Sequence, residues 1–254
     1  MKRPRYVTDK ALKQFIKSAL EEDIQDGDHS TLSTIPADLV QKARCIIKQP
    51  CIVAGVELAE FIFITFDKNM SVEVLIKDGE SAKPGDIAFI VTGKAQSILQ
   101  TERLVLNCMQ RMSGIATLTH DWDSRLVGTK TKLLDTRKTT PNFRICEKWA
   151  VAIGGGTNHR YGLYDMIMLK DNHIDYNGSI TNAVKMCKEY LKKNKKKLKI
   201  EVETRNLDEV KEAINAKVDR IMLDNMDVPT MKKAVELING RCESEASGGI
   251  TREM

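Results

Sequence analysis

Four apolar runs and a weaker fifth strand pattern, "CESEAS" (242–247), in the C-terminal half of this chain each end in residues that can do chemistry. "TKLLD" (131–135) leads into Thr136, Arg137 and Lys138, and "MIMLK" (166–170) ends in Lys170. "KIEVE" (199–203) ends in Glu203, "RIMLD" (220–224) in Asp224, and "SEASGG" (244–249) in Ser247, Gly248 and Gly249. Ligands of parallel α/β architectures bind at the C-terminal ends of the strands, so these residues are expected at one mouth. A single charged strand end is by default a solvated edge, but five in register make a site.

The types are informative. Arg137, Lys138 and Lys170 are cations, while Glu203 and Asp224 are carboxylates on successive runs. Such a set suits a polyanionic ligand with a divalent metal, because Mg2+ takes one or two carboxylates and completes its shell with phosphate oxygens. Beyond Ser247 the Ser-Gly-Gly turn has no side-chain bulk, so its backbone N–H groups can approach a phosphate. In "GGGTNHRYGLYD" (154–165) three glycines precede His159 and Arg160, and arginine is suited to bidentate carboxylate recognition. No Ser-His-Asp or Cys-His nucleophile arrangement is evident. The residues alone predict an enzyme that binds a phosphorylated and carboxylated substrate pair with Mg2+.

The positioning elements follow from periodicity. Residues 8–22 carry Leu12, Phe15, Ile16, Ala19 and Leu20 at helical spacing behind a capping Thr8. Residues 41–53 are strand-like on either side of Pro50, 54–66 are helical, and "SVEVLIKDGE" and "DIAFIVTG" are short strands joined across "SAKPG". Residues 102–127 predict a helix broken near Ser113-Gly114. The five strand patterns then alternate with helical patterns at 142–152, 180–193, 207–216 and 228–238. The pattern predicts a small α+β domain up to about residue 110 and then an α/β region, a parallel sheet with helices outside that is either a barrel or a doubly wound sheet.

Composition agrees with a globular chain. Hydrophobic residues make up 42% and charged residues 30% of 254 residues, enough for a core. No apolar stretch is long enough to cross a membrane, and none follows the basic start "MKRPRYVTDK" as a secretory signal requires. Cys45, Cys51, Cys108, Cys146, Cys187 and Cys242 form no CxxC pair and have no histidine at zinc spacing. They are expected to be free thiols in a reducing cytoplasm. "KKNKKKLK" (192–199) contributes six lysines to a net charge of +5. With no aromatic residue interleaved, it is expected to be a solvated helix end rather than a nucleic-acid surface.

The ordered motifs "EEDIQDGDHST", "ERLVLNCMQRMSGIAT", "DTRKTTP", "GGGTNHRYGLYD", "LKDNHI", "IEVET", "IMLDNM" and "EASGGIT" resemble quinolinate phosphoribosyltransferase, the decarboxylating nicotinate-nucleotide pyrophosphorylase family, from about residue 12 to 252. The resemblance implies that quinolinate and phosphoribosyl pyrophosphate give nicotinate mononucleotide, pyrophosphate and CO2 with Mg2+, a step of de novo NAD synthesis. It also implies an α/β fold with an N-terminal α+β sandwich domain (1–110) followed by an incomplete, open α/β barrel of parallel strands (111–254) that carries the active site, and a homodimer or higher homo-oligomer whose active site is shared across the interface. By position, Arg103 would reach into the partner's site to bind quinolinate. Arg137, Lys138, His159 and Arg160 would line the quinolinate pocket, with Thr136 beside them. Lys138 and Lys170 would face phosphoribosyl pyrophosphate. Glu203 and Asp224 would hold the ribose hydroxyls and Mg2+, and Ser247, Gly248 and Gly249 would receive the 5′-phosphate. Lys138, Lys170, Glu203 and Asp224 are then the expected catalytic groups, and Asp135 has no assigned role.

Two positions depart from the family. Gln25 in "DIQDGD" stands where Gly is common. Members also continue past "SGGITREM" with a helix, a Gly-containing strand and a terminal helix, so a truncated chain is expected. The competing readings are a same-fold paralogue, either ModD-like or a nicotinate-using transferase, and a non-catalytic binder of phosphorylated ligands.

Overall fold

The computed structural model describes residues 2–253, in two compact units that part between Tyr161 and Gly162. The first unit begins with α1 (Asp9–Asp23), whose capping Thr8 hydroxyl accepts the Ala11 N–H at 3.2 Å. It continues with α2 (His29–Thr34), β1 (Val40–Ile46), β2 (Cys51–Ile52), α3 (Val56–Phe66), β3 (Ser71–Val74), β4 (Ser81–Ala82), β5 (Ile87–Lys94), α4 (Ala95–Asp123) and α5 (Arg144–Ile153). An antiparallel sheet of order β1-β5-β3 and a β2-β4 pair supply the strands. Leu58, Ile62, Phe89, Val91, Val105, Met112 and Trp149 belong to one continuous core.

The helix expected to break near Ser113-Gly114 instead runs through without interruption as α4, passing residue 110. The reason is tertiary. Ser113 Oγ accepts the Ala54 N–H at 3.0 Å and Thr117 Oγ1 accepts the Ile52 N–H at 2.9 Å, so α4 satisfies the backbone edge of β2. Val105, Met109, Met112 and Ala116 are buried along the same helix. That burial outweighs the roughly 1 kcal/mol that one helical glycine costs. Gln25 takes up the left-handed conformation itself, with φ 52°, and its side-chain amide donates to Glu21 O at 2.7 Å. That turn therefore forms without the glycine common in the family.

The second unit is β6 (Ile167–Leu169), α6 (Asp171–Asn177), α7 (Ile180–Lys193), β7 (Ile200–Thr204), α8 (Leu207–Asn215), β8 (Arg220–Asp224), α9 (Val228–Ile238) and β9 (Glu243–Ser247). Its strands are all parallel in the order β6-β7-β8-β9, with helices between them: the open α/β arrangement. The three middle residues of β8 are all buried, as both-face coverage requires. The expected first strand, "TKLLD", is not a strand of this sheet. Its pairing reduces to a single parallel bridge, Leu134 to Thr157, inside the first unit. Lys192, Lys193, Lys195, Lys196, Lys197 and Lys199 are all exposed, at and just beyond the C-terminus of α7.

The start of α3 is capped from a distance. Gly55 provides no side chain, and the Asp78 carboxylate accepts the Val56 and Glu57 N–H groups at 2.8 and 3.2 Å. Asp78→Ala is expected to lower stability by about 1–2 kcal/mol, the usual cost of a lost cap. Chemical denaturation checks this, and an unchanged midpoint would show that water replaces the carboxylate.

Candidate active site

In the first unit the loop after Asp135 is fixed by neighbours that leave its cations alone. Thr136 Oγ1 accepts the Lys138 N–H at 3.0 Å, and the Thr139 N–H donates to Arg137 O at 2.9 Å. Arg144 on α5 donates to Thr139 Oγ1 at 2.9 Å and to Tyr161 O at 3.2 Å. Glu147, also on α5, accepts both the N–H (3.0 Å) and the hydroxyl (2.8 Å) of Thr140, while Arg111 from α4 donates to the same carboxylate at 2.8 Å. The loop's backbone is thus held by Arg111, Arg144 and Glu147. The side chains of Arg137 and Lys138 form no ion pair among the described residues, and the buried Arg137 Nε has no hydrogen-bond partner there.

Below this loop lies a buried carboxylate. Asp135 accepts from the Lys148 ammonium, from Asn158 Nδ2 at 2.6 Å and from the His159 N–H at 2.8 Å. Asn158 Nδ2 also donates to Lys148 O at 2.7 Å, and Asn158 Oδ1 accepts the Tyr6 hydroxyl at 2.8 Å. The Tyr6 ring stacks on Tyr161 with centroids 4.5 Å apart. Arg137, Lys138, His159 and Arg160 therefore project from two segments tied to one acidic side chain. Asp135 has no role assignable from sequence, and Lys148, Asn158, Glu147 and Arg111 are not among the residues that motif reasoning picks out. The available signal was the pair Glu147-Lys148 inside the apolar helix "RICEKWAVAI".

Arg103 is exposed on α4 and lines a cavity of about 830 Å3 within the first unit, together with Phe15, Asn107, Arg111, Phe143 and Tyr161. It forms no ion pair among the described residues.

In the second unit the remaining residues lie at the C-terminal ends of the strands. Leu169 pairs in register with Val202, so Lys170 and Glu203 leave adjacent strand ends, with Lys170 Nζ 3.3 Å from Glu203 Oε2. Glu203 is in register with Met222, which puts Asp224, two residues on, on the same face. Asp224 is in register with Ser247. The Asn225 N–H donates to Ser247 O at 2.9 Å. Gly248 packs so closely on Asn225 that an added Cβ would lie 2.3 Å from its Oδ1, and both Gly248 and Gly249 have positive φ. Only glycine fits that backbone comfortably. Asp224 Oδ2 accepts from Asn225 Nδ2 at 2.6 Å, which leaves the other oxygen without a hydrogen bond among the described residues. Two carboxylates on one face, each with an oxygen to spare, are a donor set that fits Mg2+.

The Glu147 clamp has a pH signature. Burial works to raise this carboxyl, but hydrogen bonds from Arg111 and Thr140 outweigh it and hold it below the usual carboxylate range. Its stabilising contribution is therefore complete above the unfolded value of about 4.3 and fades as pH falls through the lower folded value. The carboxyl carbon resonance of Glu147 is expected to titrate with a lowered midpoint that rises in Arg111→Gln. An identical midpoint in both proteins would remove Arg111 from the clamp.

Comparison with known proteins agrees across the chain. The family described as quinolinate phosphoribosyl transferase matches through its N-terminal domain at residues 28–113 and its C-terminal domain at residues 115–254. A chloroplastic nicotinate-nucleotide pyrophosphorylase (carboxylating) of Arabidopsis thaliana is 48% identical over 258 residues, covering 95% of this chain and 74% of that protein. A probable nicotinate-nucleotide pyrophosphorylase (carboxylating) of Synechocystis is 41% identical, covering 93% of this chain and 80% of that protein. The crystal structure of NadC from Streptococcus pyogenes superposes with a TM-score of 0.89 at 38% identity, covering 96% of this chain and 86% of that one. The nicotinate-nucleotide pyrophosphorylase of Francisella tularensis gives 0.89 at 36% identity, covering 100% of this chain and 88% of that one. With both domains matched along its length, the chain belongs to the quinolinate phosphoribosyltransferase family.

Proposed function

We infer that this chain transfers phosphoribosyl from phosphoribosyl pyrophosphate to quinolinate with decarboxylation. The products are nicotinate mononucleotide, pyrophosphate and CO2, in de novo NAD biosynthesis. The observation that carries the site assignment is the Arg137-Lys138 pair. Its backbone is held by the Thr136 hydroxyl on the Lys138 N–H and by the Thr139 N–H and Arg144 on Arg137 O, while the buried Arg137 Nε has no partner among the described residues. A buried donor left without an acceptor costs about 1–3 kcal/mol, which a substrate carboxylate would recover. Arg137 therefore binds a quinolinate carboxylate, with His159 and Arg160 beside it and Thr136 shaping the turn. Lys138 faces both substrates.

Charge accounts for the rest. Departure of pyrophosphate leaves an oxocarbenium-like ribose. Lys138 and Lys170 hold the leaving diphosphate, while Glu203 and Asp224 hold the ribose hydroxyls and offset the positive ring. Glu203 and Asp224 would also hold Mg2+, which when bound supplies charge neutralisation of the diphosphate. Ser247, Gly248 and Gly249 receive the 5′-phosphate through backbone N–H groups. No general base is needed, because the ring nitrogen of quinolinate is itself the nucleophile. The positive ring nitrogen so formed stabilises the electron pair left on the adjacent ring carbon as CO2 departs, and that ring carbon then takes up a proton.

Arg103, exposed and without an ion pair among the described residues, completes the quinolinate pocket of a second copy, so the active unit is a homodimer or larger. The division into domains 1–110 and 111–254 belongs to the same proposal. Free thiols at all six cysteines support a cytoplasmic site of action, although several plant relatives are named for chloroplasts or mitochondria. No helix among the described residues is long and apolar enough to cross a membrane.

Incubation with quinolinate labelled in its 2-carboxylate, phosphoribosyl pyrophosphate and Mg2+ is expected to release labelled CO2 and one equivalent of nicotinate mononucleotide. Replacing quinolinate by nicotinate is expected to give no product. Absence of labelled CO2 from folded protein, or equal turnover of nicotinate, would contradict the assignment.

A further inference from the structure

We propose that Asp135 and Lys148 are a buried positioning pair that sets the spacing of the dicarboxylate-binding side chains, a role that rests on the functional reading above. Lys148 is 1% and the Asp135 side chain 7% exposed, inside the first unit. Taking two charges out of water is costly, and a buried ion pair seldom adds stability over an apolar pair of similar volume. What a carboxylate adds is directed acceptor geometry. Here it binds three groups from two separate segments. The ammonium comes from α5, whereas the Asn158 amide and the His159 N–H come from the Gly-rich segment.

The consequence for the site is direct. Asp135 stands two residues before Arg137, and the amide it holds belongs to His159 itself. The two segments that present cations and imidazole to the substrate thus share one anchor. The anchor is braced from outside, because Asn158 is also held by Lys148 O and by the Tyr6 hydroxyl. Burial first, and then the charge of Asp135, push the Tyr6 phenol well above its usual range, so it stays a proton donor to Asn158. Neither Asp135 nor Lys148 needs to touch substrate. They act by fixing where Arg137 and His159 stand, and displacement of a binding group by about 1 Å can cost 100-fold.

The test uses Asp135→Asn, which leaves the ammonium unpaired, and the double variant Asp135→Asn/Lys148→Met, which removes both charges at similar volume. The full chain is assayed against each substrate, and backbone hydrogen exchange at the His159 amide is measured without substrate. The double variant is expected to fold and to exchange the His159 amide faster. Its KM for quinolinate should rise about 10- to 100-fold, with the KM for phosphoribosyl pyrophosphate within about twofold of the parent. Asp135→Glu, which keeps the charge, is expected to recover part of the loss. Unchanged exchange at His159, an equal rise in both KM values, or failure of both Asn variants to fold would overturn the proposal in favour of a purely structural pair. Should the parent protein itself not turn over quinolinate, the functional reading falls, and the exchange measurement still decides whether Asp135 holds His159.

Discussion

One buried carboxylate, that of Asp135, ties together the two segments of the first unit that carry Arg137, Lys138, His159 and Arg160. An acidic side chain in an apolar interior must satisfy its lone pairs, and this one does so with a helix lysine, an asparagine amide and a backbone N–H. The requirement works in both directions. Lys148 has its buried counter-charge in that acid, and the acid in turn ties down the Gly-rich segment at Asn158 and His159. One level up, Glu147 does the same for the following loop, with Arg111 supplying the compensating charge. Two adjacent residues of α5 thus fix the two ends of one hexapeptide, from Asp135 to Thr140. The cations between them, Arg137 and Lys138, are left to meet something that is not protein.

The second unit solves a different problem by simpler means. Parallel pairing sets the register, and register alone brings Lys170 beside Glu203 and Asp224 beside Ser247. The one irregular demand is at Gly248, where Asn225 comes so close that a side chain would collide. A backbone left bare in this way is what a phosphate needs in order to approach peptide N–H groups.

Legibility in the sequence followed the range of the interactions involved. The strands at 167–169, 200–204 and 220–224 are announced by local apolar runs, the strand at 243–247 only weakly, and the longer helices between them by period and caps, such as the Ser179 hydroxyl on the Asn182 N–H. The strand-end residues could therefore be named without coordinates. Most of the misreadings involve partners far away in sequence. "TKLLD" has the composition of a strand but pairs only through Leu134, with Thr157. Gly114 looks like a helix break, but α4 is held straight by contacts with residues 52 and 54. Helix α6 is seven residues long and starts directly after Lys170, too short to show a period. Lys148 counts as polar in any pattern, and only an acid 13 residues upstream makes its burial possible.

On the proposed function, the Arg137 guanidinium is held in readiness for a substrate carboxylate and does no structural work. Calorimetric titration of quinolinate into the parent protein and into Arg137→Ala, alongside their thermal unfolding, tests this directly. The account predicts equal unfolding temperatures and an affinity for quinolinate at least about tenfold weaker in the variant, the loss of one charge-assisted hydrogen bond or more. Equal affinities, or a variant that loses stability in step with affinity, would contradict it.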